Sequence, residues 1–303
     1  MNSEIKNVIA SVKARLQNKA QALSKPFNEV LRYYGIERFL YRLSLTPYGR
    51  NFVLKGGLVF YAWGISHGRP TRDIDLSGVI HSSLANLIQI VTFACQQPVP
   101  NDGLIFLSES ITAEEIQLEA DYPGIRSTFL GMLGKAEIPM QIDIGFSDDI
   151  TPDPVEFSYP TMLDMAAPNL LMYPPESVIS EKFHAIVRLG EINSRMKDYY
   201  DIWLLSNRFD FSGLILKTAI AKTFNKRQME IPTNVPLGLT PEFAEVHRRE
   251  WMIFLRRFGQ EDGELSDMDK VITRLRSFLM PPVEALTQGI DFDRIWKAGI
   301  GWE

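Results

Sequence analysis

The chain has 303 residues, 45% apolar and 23% charged, with a net charge of −5 and one cysteine, Cys95. A single cysteine excludes an intramolecular disulfide framework and suits a reducing compartment. The mild acidity argues against a protein that coats nucleic acid, and with no run of about eighteen apolar residues and no apolar export core in MNSEIKNVIASVKARLQNK, neither membrane spanning nor export is expected.

Helical spacing of apolar residues predicts two helices first, over residues 4–24 and 28–43. Phe52-Val53-Leu54 reads as a short strand running into Gly56-Gly57, with a helix from Leu58 to Ile65 behind it. After Asp73-Ile74-Asp75-Leu76, residues 82–95 read as a helix and 104–120 as strand-prone segments with a turn. Residues 127–133 and 139–146 form the two arms of a hairpin about Gly134-Lys135. Residues 147–160, rich in proline and acid, are the best candidate boundary. Beyond them helices fit 176–190, 195–207, 213–224, 240–257, 265–279 and 291–298. The expectation is a mixed α/β domain over 1–155, preceded by its N-terminal helices, and a helical domain over 156–303, the whole cytoplasmic.

Charge is uneven along this plan. Residues 102–181 hold fifteen acidic and two basic side chains, whereas 182–227 hold nine basic and four acidic. That asymmetry suggests an anionic partner for the second stretch, with an ordinary solvated face as the alternative.

The chemistry-bearing pattern begins at Gly56-Gly57, a turn whose backbone N–H groups can approach phosphate. Sixteen residues on, Asp73 and Asp75 flank Ile74, so on a strand both carboxylates face one way with their roots roughly 6.5–7 Å apart. From there they can reach two divalent ions about 3.5–4 Å apart. Asp143, on the polar side of the strand from Met140 to Phe146, is the candidate third ligand and general base, against the plainer reading of a solvated aspartate. Lys182 falls inside the apolar arc of its helix, where it either snorkels or meets an anion such as a triphosphate. Asp198 lies on the apolar arc of the next helix and either orients Lys182 or Arg195, or forms a purely structural pair. Asp201 is expected on the polar side as an i, i+4 partner of Lys197. Arg69 and Arg72 could meet a phosphate or simply be solvated; His67, His81, His184 and His247 have no metal-ligand spacing.

With Gly56-Gly57, the Arg-Pro-Thr-Arg-Asp-Ile-Asp run at 69–75, the Glu181-Lys182 helix and Arg195-Met-Lys-Asp198-Tyr-Tyr-Asp201 in order, the chain resembles the AbiEii/AbiGii and MenT group of nucleotidyltransferase toxins, within the DNA polymerase β superfamily. The resemblance implies a minimal polymerase-β-like palm with a helical C-terminal domain and a toxin of a toxin–antitoxin or abortive-infection module. It implies Mg²⁺ (or Mn²⁺) and a nucleoside triphosphate, a tRNA 3′ end as acceptor and a cognate antitoxin. Carried over, Gly56 and Gly57 would bind phosphate, Asp73 and Asp75 the metals, and Lys182 and Asp198 would be the paired residues of the C-terminal motifs; the reading of the residues themselves adds Lys182 and Arg72 at the nucleotide and Asp143 at the metals, with Lys182 and Asp198 joining Asp73 and Asp75 in catalysis. Rival expectations are transfer to a small molecule, as antibiotic nucleotidyltransferases perform, protein phosphorylation, or a non-catalytic interaction protein.

Overall fold

A computed structural model of the protein describes residues 3–65, 71–80, 82–118, 122–146 and 150–303. Arg69, His67 and His81 lie outside the described residues. By internal contacts the chain divides into two units, residues 1–148 with 154–173, and 149–153 with 174–303.

The first unit opens with α1 (Ser3–Ala22) and α2 (Phe27–Leu45). Proline at the N-cap of α2 starts the helix where an N–H would be orphaned anyway. Val30, Leu31, Tyr34, Ile36, Phe39, Leu40 and Leu43 are buried. Next come β1 (Phe52–Lys55), the short α3 (Gly57–Ala62), β2 (Ile74–Gly78), α4 (Leu84–Gln96), β3 (Leu104–Leu118), β4 (Tyr122–Leu133), β5 (Ala136–Phe146), β6 (Val155–Ser158) and β7 (Asn169–Met172). These strands form one sheet in the order β3-β4-β5-β2-β1-β7-β6. It is mixed: β2 runs parallel to β5 and β1 parallel to β7, while β1 and β2 are antiparallel. Phe52, Val53 and Leu54 are all buried, as expected of a central strand covered on both faces. The proline- and acid-rich connector contributes β6, which with β7 extends this sheet. The turn expected within 104–120 is instead a shift of register between Leu107 and Thr112 in one long strand, a bulge absorbing the irregularity without breaking the ladder.

The second unit is mainly helical, with α5 (Pro175–Leu189), α6 (Met196–Arg208), β8 (Phe211–Ser212), α7 (Gly213–Lys226), α8 (Pro241–Arg256), α9 (Met268–Gln288), β9 (Ile295–Lys297) and β10 (Gly301–Trp302). Ser212 and Thr240 cap α7 and α8 by accepting from Ile215 and Phe243 N–H. α9 continues through Pro281-Pro282, beyond its expected end at 279, with Met280, Pro282, Val283 and Ala285 buried.

The helix expected over 291–298 is not formed; Ile295–Lys297 pair with β8 and β10 in a three-stranded sheet. The fully buried Trp296 explains this. Its indole N–H donates to Ser206 O at 2.7 Å, and its ring packs 4.7 Å from Phe278 and 5.4 Å from Trp302. An eight-residue window of mixed polarity does not separate the two periodicities. Among the described residues no helix is long and apolar enough to cross a membrane.

Candidate active site

Sheet register gathers the acidic residues. Asp75 on β2 lies beside Asp143 on β5 and opposite Lys55 on β1, Asp143 lies opposite Arg126 on β4, and Arg126 opposite Glu114 on β3. Residues directly across a ladder share a face, so Glu114, Arg126, Asp143, Asp75 and Lys55 form one transverse row in which two carboxylates stand together between two cations. Arg126 grips Asp143 with two hydrogen bonds, Nε to Oδ1 at 2.8 Å and Nη2 to Oδ2 at 2.7 Å. Gln141, two residues earlier on the same face, donates to both oxygens at 3.2 and 3.3 Å. Lys55 holds its ammonium 5.8 Å from the centre of the Tyr173 ring.

Asp73 stands one residue before β2. Burial raises its carboxyl above the ordinary carboxylate value, the charge of Asp143 adds to this, and Arg126, Arg32 and Arg72 pull the other way. The glycine pair makes the approach to this corner possible. Gly56 has φ 69° and ψ −148°, a combination open in practice to glycine alone. A Cβ there would sit 1.9 Å from Asp75 Oδ2. A Cβ on Gly57 would lie 2.7 Å from Thr71 Cβ, and the Thr71 N–H donates to Tyr33 Oη at 3.2 Å. Backbone at Gly56 and carboxylate at Asp75 are therefore in direct apposition.

Carboxylate oxygens are hard donors that suit Mg²⁺ or Mn²⁺, and Mg²⁺ is commonly held by one or two carboxylates, with water and substrate phosphate completing its shell. Among the described residues no three His, Cys, Asp or Glu side chains are gathered as a complete metal cage. Asp73 and Asp75 fit the partial, substrate-completed kind of shell, and the raised carboxyl of Asp73 is what a nearby cation would relieve. Both oxygens of Asp143 are engaged by Arg126.

In the second unit the Lys182 ammonium lies 2.8 Å from Asp198 Oδ1 and 2.7 Å from Asp201 Oδ2, and Arg195 Nε lies 2.7 Å from Asp198 Oδ2. Asp198 is completely buried, Asp201 is 1% exposed and the Lys182 side chain 12%. Burial alone would push the Asp198 carboxyl up, but Lys182, Arg195 and Lys197 together hold it below the ordinary carboxylate value. Asp201 is thus not on the solvated face where a local pair with Lys197 was expected. At about 100° per residue it stands only about 60° from Asp198, and the buried arc of α6 is wide enough to take in both.

Sequence reasoning missed Arg126, Gln141, Arg32 and the burial of Asp201. Arg126 was findable: counting outward from Leu133 opposite Ala136 in the hairpin brings Arg126 opposite Asp143. Arg32, on α2, has no such local signal.

A family model described as "Nucleotidyl transferase AbiEii toxin, Type IV TA system" matches residues 38–286. Among solved structures the chain is similar to one described as "Crystal structure of putative nucleotidyltransferase from H. pylori", at 13% identity and a TM-score of 0.44, over 84% of this chain and 94% of that one. It is similar at the same identity and TM-score to JHP933 from Helicobacter pylori, over 83% of this chain and 90% of that one. No curated protein matches.

Proposed function

Because the chain belongs to the AbiEii family of nucleotidyltransferase toxins, we propose that it transfers the nucleoside monophosphate of an NTP to the 3′-hydroxyl of an RNA, a tRNA 3′ end in the first instance. The observation that carries this reading is the apposition of Gly56 and Asp75 at one end of a row that places Asp75 beside Asp143. Backbone that a phosphate can approach adjoins carboxylates that suit a divalent ion, which is the pairing nucleotidyl transfer needs.

In the proposed reaction the acceptor 3′-oxygen bonds to the α-phosphorus, the bond from that phosphorus to the bridging oxygen of the β-phosphate breaks, and pyrophosphate leaves. Asp73 and Asp75 would hold the Mg²⁺ or Mn²⁺, which supplies charge neutralisation at the transferring phosphate. Asp143 is the proposed third ligand and proton acceptor for the attacking hydroxyl; to serve, it gives up at least one of its Arg126 bonds. Gly56, Gly57 and Arg72 are the proposed phosphate contacts. Lys182 is the proposed triphosphate lysine, with Asp198 and Asp201 fixing its ammonium. A cognate antitoxin is the proposed protein partner, and the cytoplasm the proposed location.

The test is to incubate the protein with total tRNA and each α-labelled NTP, with Mg²⁺, Mn²⁺ or EDTA. Label should enter RNA only with metal, and Asp73→Asn or Asp75→Asn should lower the rate at least about a hundredfold, the scale lost when charge stabilisation of the transition state is removed. Absence of transfer with every nucleotide, or transfer indifferent to both variants, refutes the reading.

A further inference from the structure

β2 begins at Ile74, opposite Ile142, so the preceding part of β5, around Pro139–Gln141, has no β2 neighbour. At that step in the sheet lies a cleft of about 370 Å³, lined by Asp73, Gln141, Thr128 and Ser110 together with the guanidinium-bearing Arg32 from α2 and Arg72. Arg32 and Arg72 make no hydrogen bond or ion pair among the described residues, although both face the field of Asp73 strongly enough to oppose the rise in its carboxyl. Two unengaged cations beside hydroxyl and amide groups make a place for a ligand that is anionic and also rich in hydrogen-bonding edges. The volume lies at the lower end of the usual range for ligand pockets, about 300–1,000 Å³, and suits one nucleotide rather than a longer segment.

We propose that this cleft is the acceptor subsite, holding the terminal nucleotide of a single-stranded RNA 3′ end with its phosphodiester on Arg32 and Arg72. The proposal rests on the nucleotidyltransferase reading above. Transfer between an NTP and an RNA needs two binding places that meet at the carboxylates. Gly56 occupies the β1 side of Asp75, where close-packed backbone suits a polyphosphate, and the cleft opens at Asp73 toward β5, β4 and β3. Arginine forks suit the two non-bridging oxygens of a phosphodiester. The Thr128 and Ser110 hydroxyls and the Gln141 amide are groups that read ribose and base edges. Because Gln141 also donates to Asp143, a nucleotide seated here would be felt at the proposed proton acceptor.

The experiment compares wild type with Arg32→Ala, Arg72→Ala and the double variant, using a 5′-fluorescent single-stranded RNA oligonucleotide with a free 3′-hydroxyl and, separately, a fluorescent NTP with Mg²⁺. Binding of each is read by anisotropy, label transfer is measured in parallel, and circular dichroism melting checks the fold. Each substitution should weaken RNA binding about tenfold and make its logarithmic salt slope shallower by about 0.7, raising the KM for RNA, and Arg32→Ala should do so while leaving NTP binding unchanged. Loss of NTP binding with RNA binding intact in Arg32→Ala makes the cleft a nucleotide site and overturns the proposal, as does no change in either. If wild type labels RNA but the variants match it, the acceptor subsite alone falls. If wild type labels no RNA with any nucleotide, the RNA-transfer reading itself falls and takes this inference with it.

Discussion

Glu37 and Asp198 are both buried carboxyls, driven in opposite directions by what surrounds them. Burial pushes Glu37 up to about 7, against the pull of Arg38 and the Met162 N–H; cations around Asp198 overcome its burial and hold it down. Between the ordinary carboxyl value and about pH 7 the folded state binds the Glu37 proton and the unfolded state does not. Its contribution is therefore complete below the ordinary value and lost as pH rises through about 7. Urea midpoints of wild type should fall across that window by on the order of 3 kcal/mol in stability, and Glu37→Gln should flatten the fall. Asp198 has the reverse sign: its contribution is present above the ordinary carboxyl value and is lost as acid carries the pH down through its depressed folded value. Lys182→Met leaves two buried carboxylates short of a cation and should cost about 3–5 kcal/mol by denaturant titration. At Gly56 the limit is geometric. Gly56→Ala puts a methyl into Asp75 at a φ that alanine resists, and should lower the transfer rate about tenfold or more and also cost about 1–3 kcal/mol in chemical denaturation.

At the scale of elements, what could be read in advance divides by period and partner. α1, α2, α5 and α6 carry enough turns for a 3.6-residue apolar repeat to stand out, and the β4–β5 hairpin has a glycine turn that fixes its register. Asp75 and Asp143 could be assigned to one face of their strands because their neighbours Ile74, Leu76, Ile142 and Ile144 are apolar, whereas Asp73 stands just before its strand. The Lys182 pair with Asp198 was legible because two charges fell on apolar arcs. Arg32 was not, because its meaning depends on α2 reaching a cleft formed where one strand stops short of its neighbour. The C-terminal strands were hidden for a related reason: Trp296 takes its conformation not only from nearby Trp302 but from Phe278 and Ser206, which lie in earlier helices. Gly213 tests how closely that sheet is fitted. A Cβ there would meet Phe292 Cδ1 at 2.4 Å and the Phe292 and Arg294 carbonyl oxygens at 2.7 and 2.8 Å. Gly213→Ala should therefore destabilise the protein by about 1–3 kcal/mol in chemical denaturation, the usual cost of overpacking.

At the scale of the whole molecule the question is how much of the basic stretch at 182–227 is available to an RNA. At least four of its nine cations already have acidic partners among the described residues: Lys182 with Asp198 and Asp201, Arg195 with Asp198, Lys217 with Asp291, and Arg227 with Glu181. Lys217 also donates to Ile290 O. Arg208 and Lys222 are exposed and have no hydrogen bond or ion pair among the described residues. A cation held by the protein releases few counterions when a strand arrives, whereas a solvated one that meets a phosphate releases nearly its full share. Lys222→Ala and Arg208→Ala should each make the logarithmic salt dependence of RNA binding shallower by about 0.7, the single-strand value per phosphate contact. Lys217→Ala should leave that slope in place and show itself in the denaturation midpoint instead. Anisotropy titrations of one RNA oligonucleotide from low to moderate salt separate the two outcomes. Equal slopes for all three variants and wild type would mean that the positive stretch is a solvated face with no part in RNA binding.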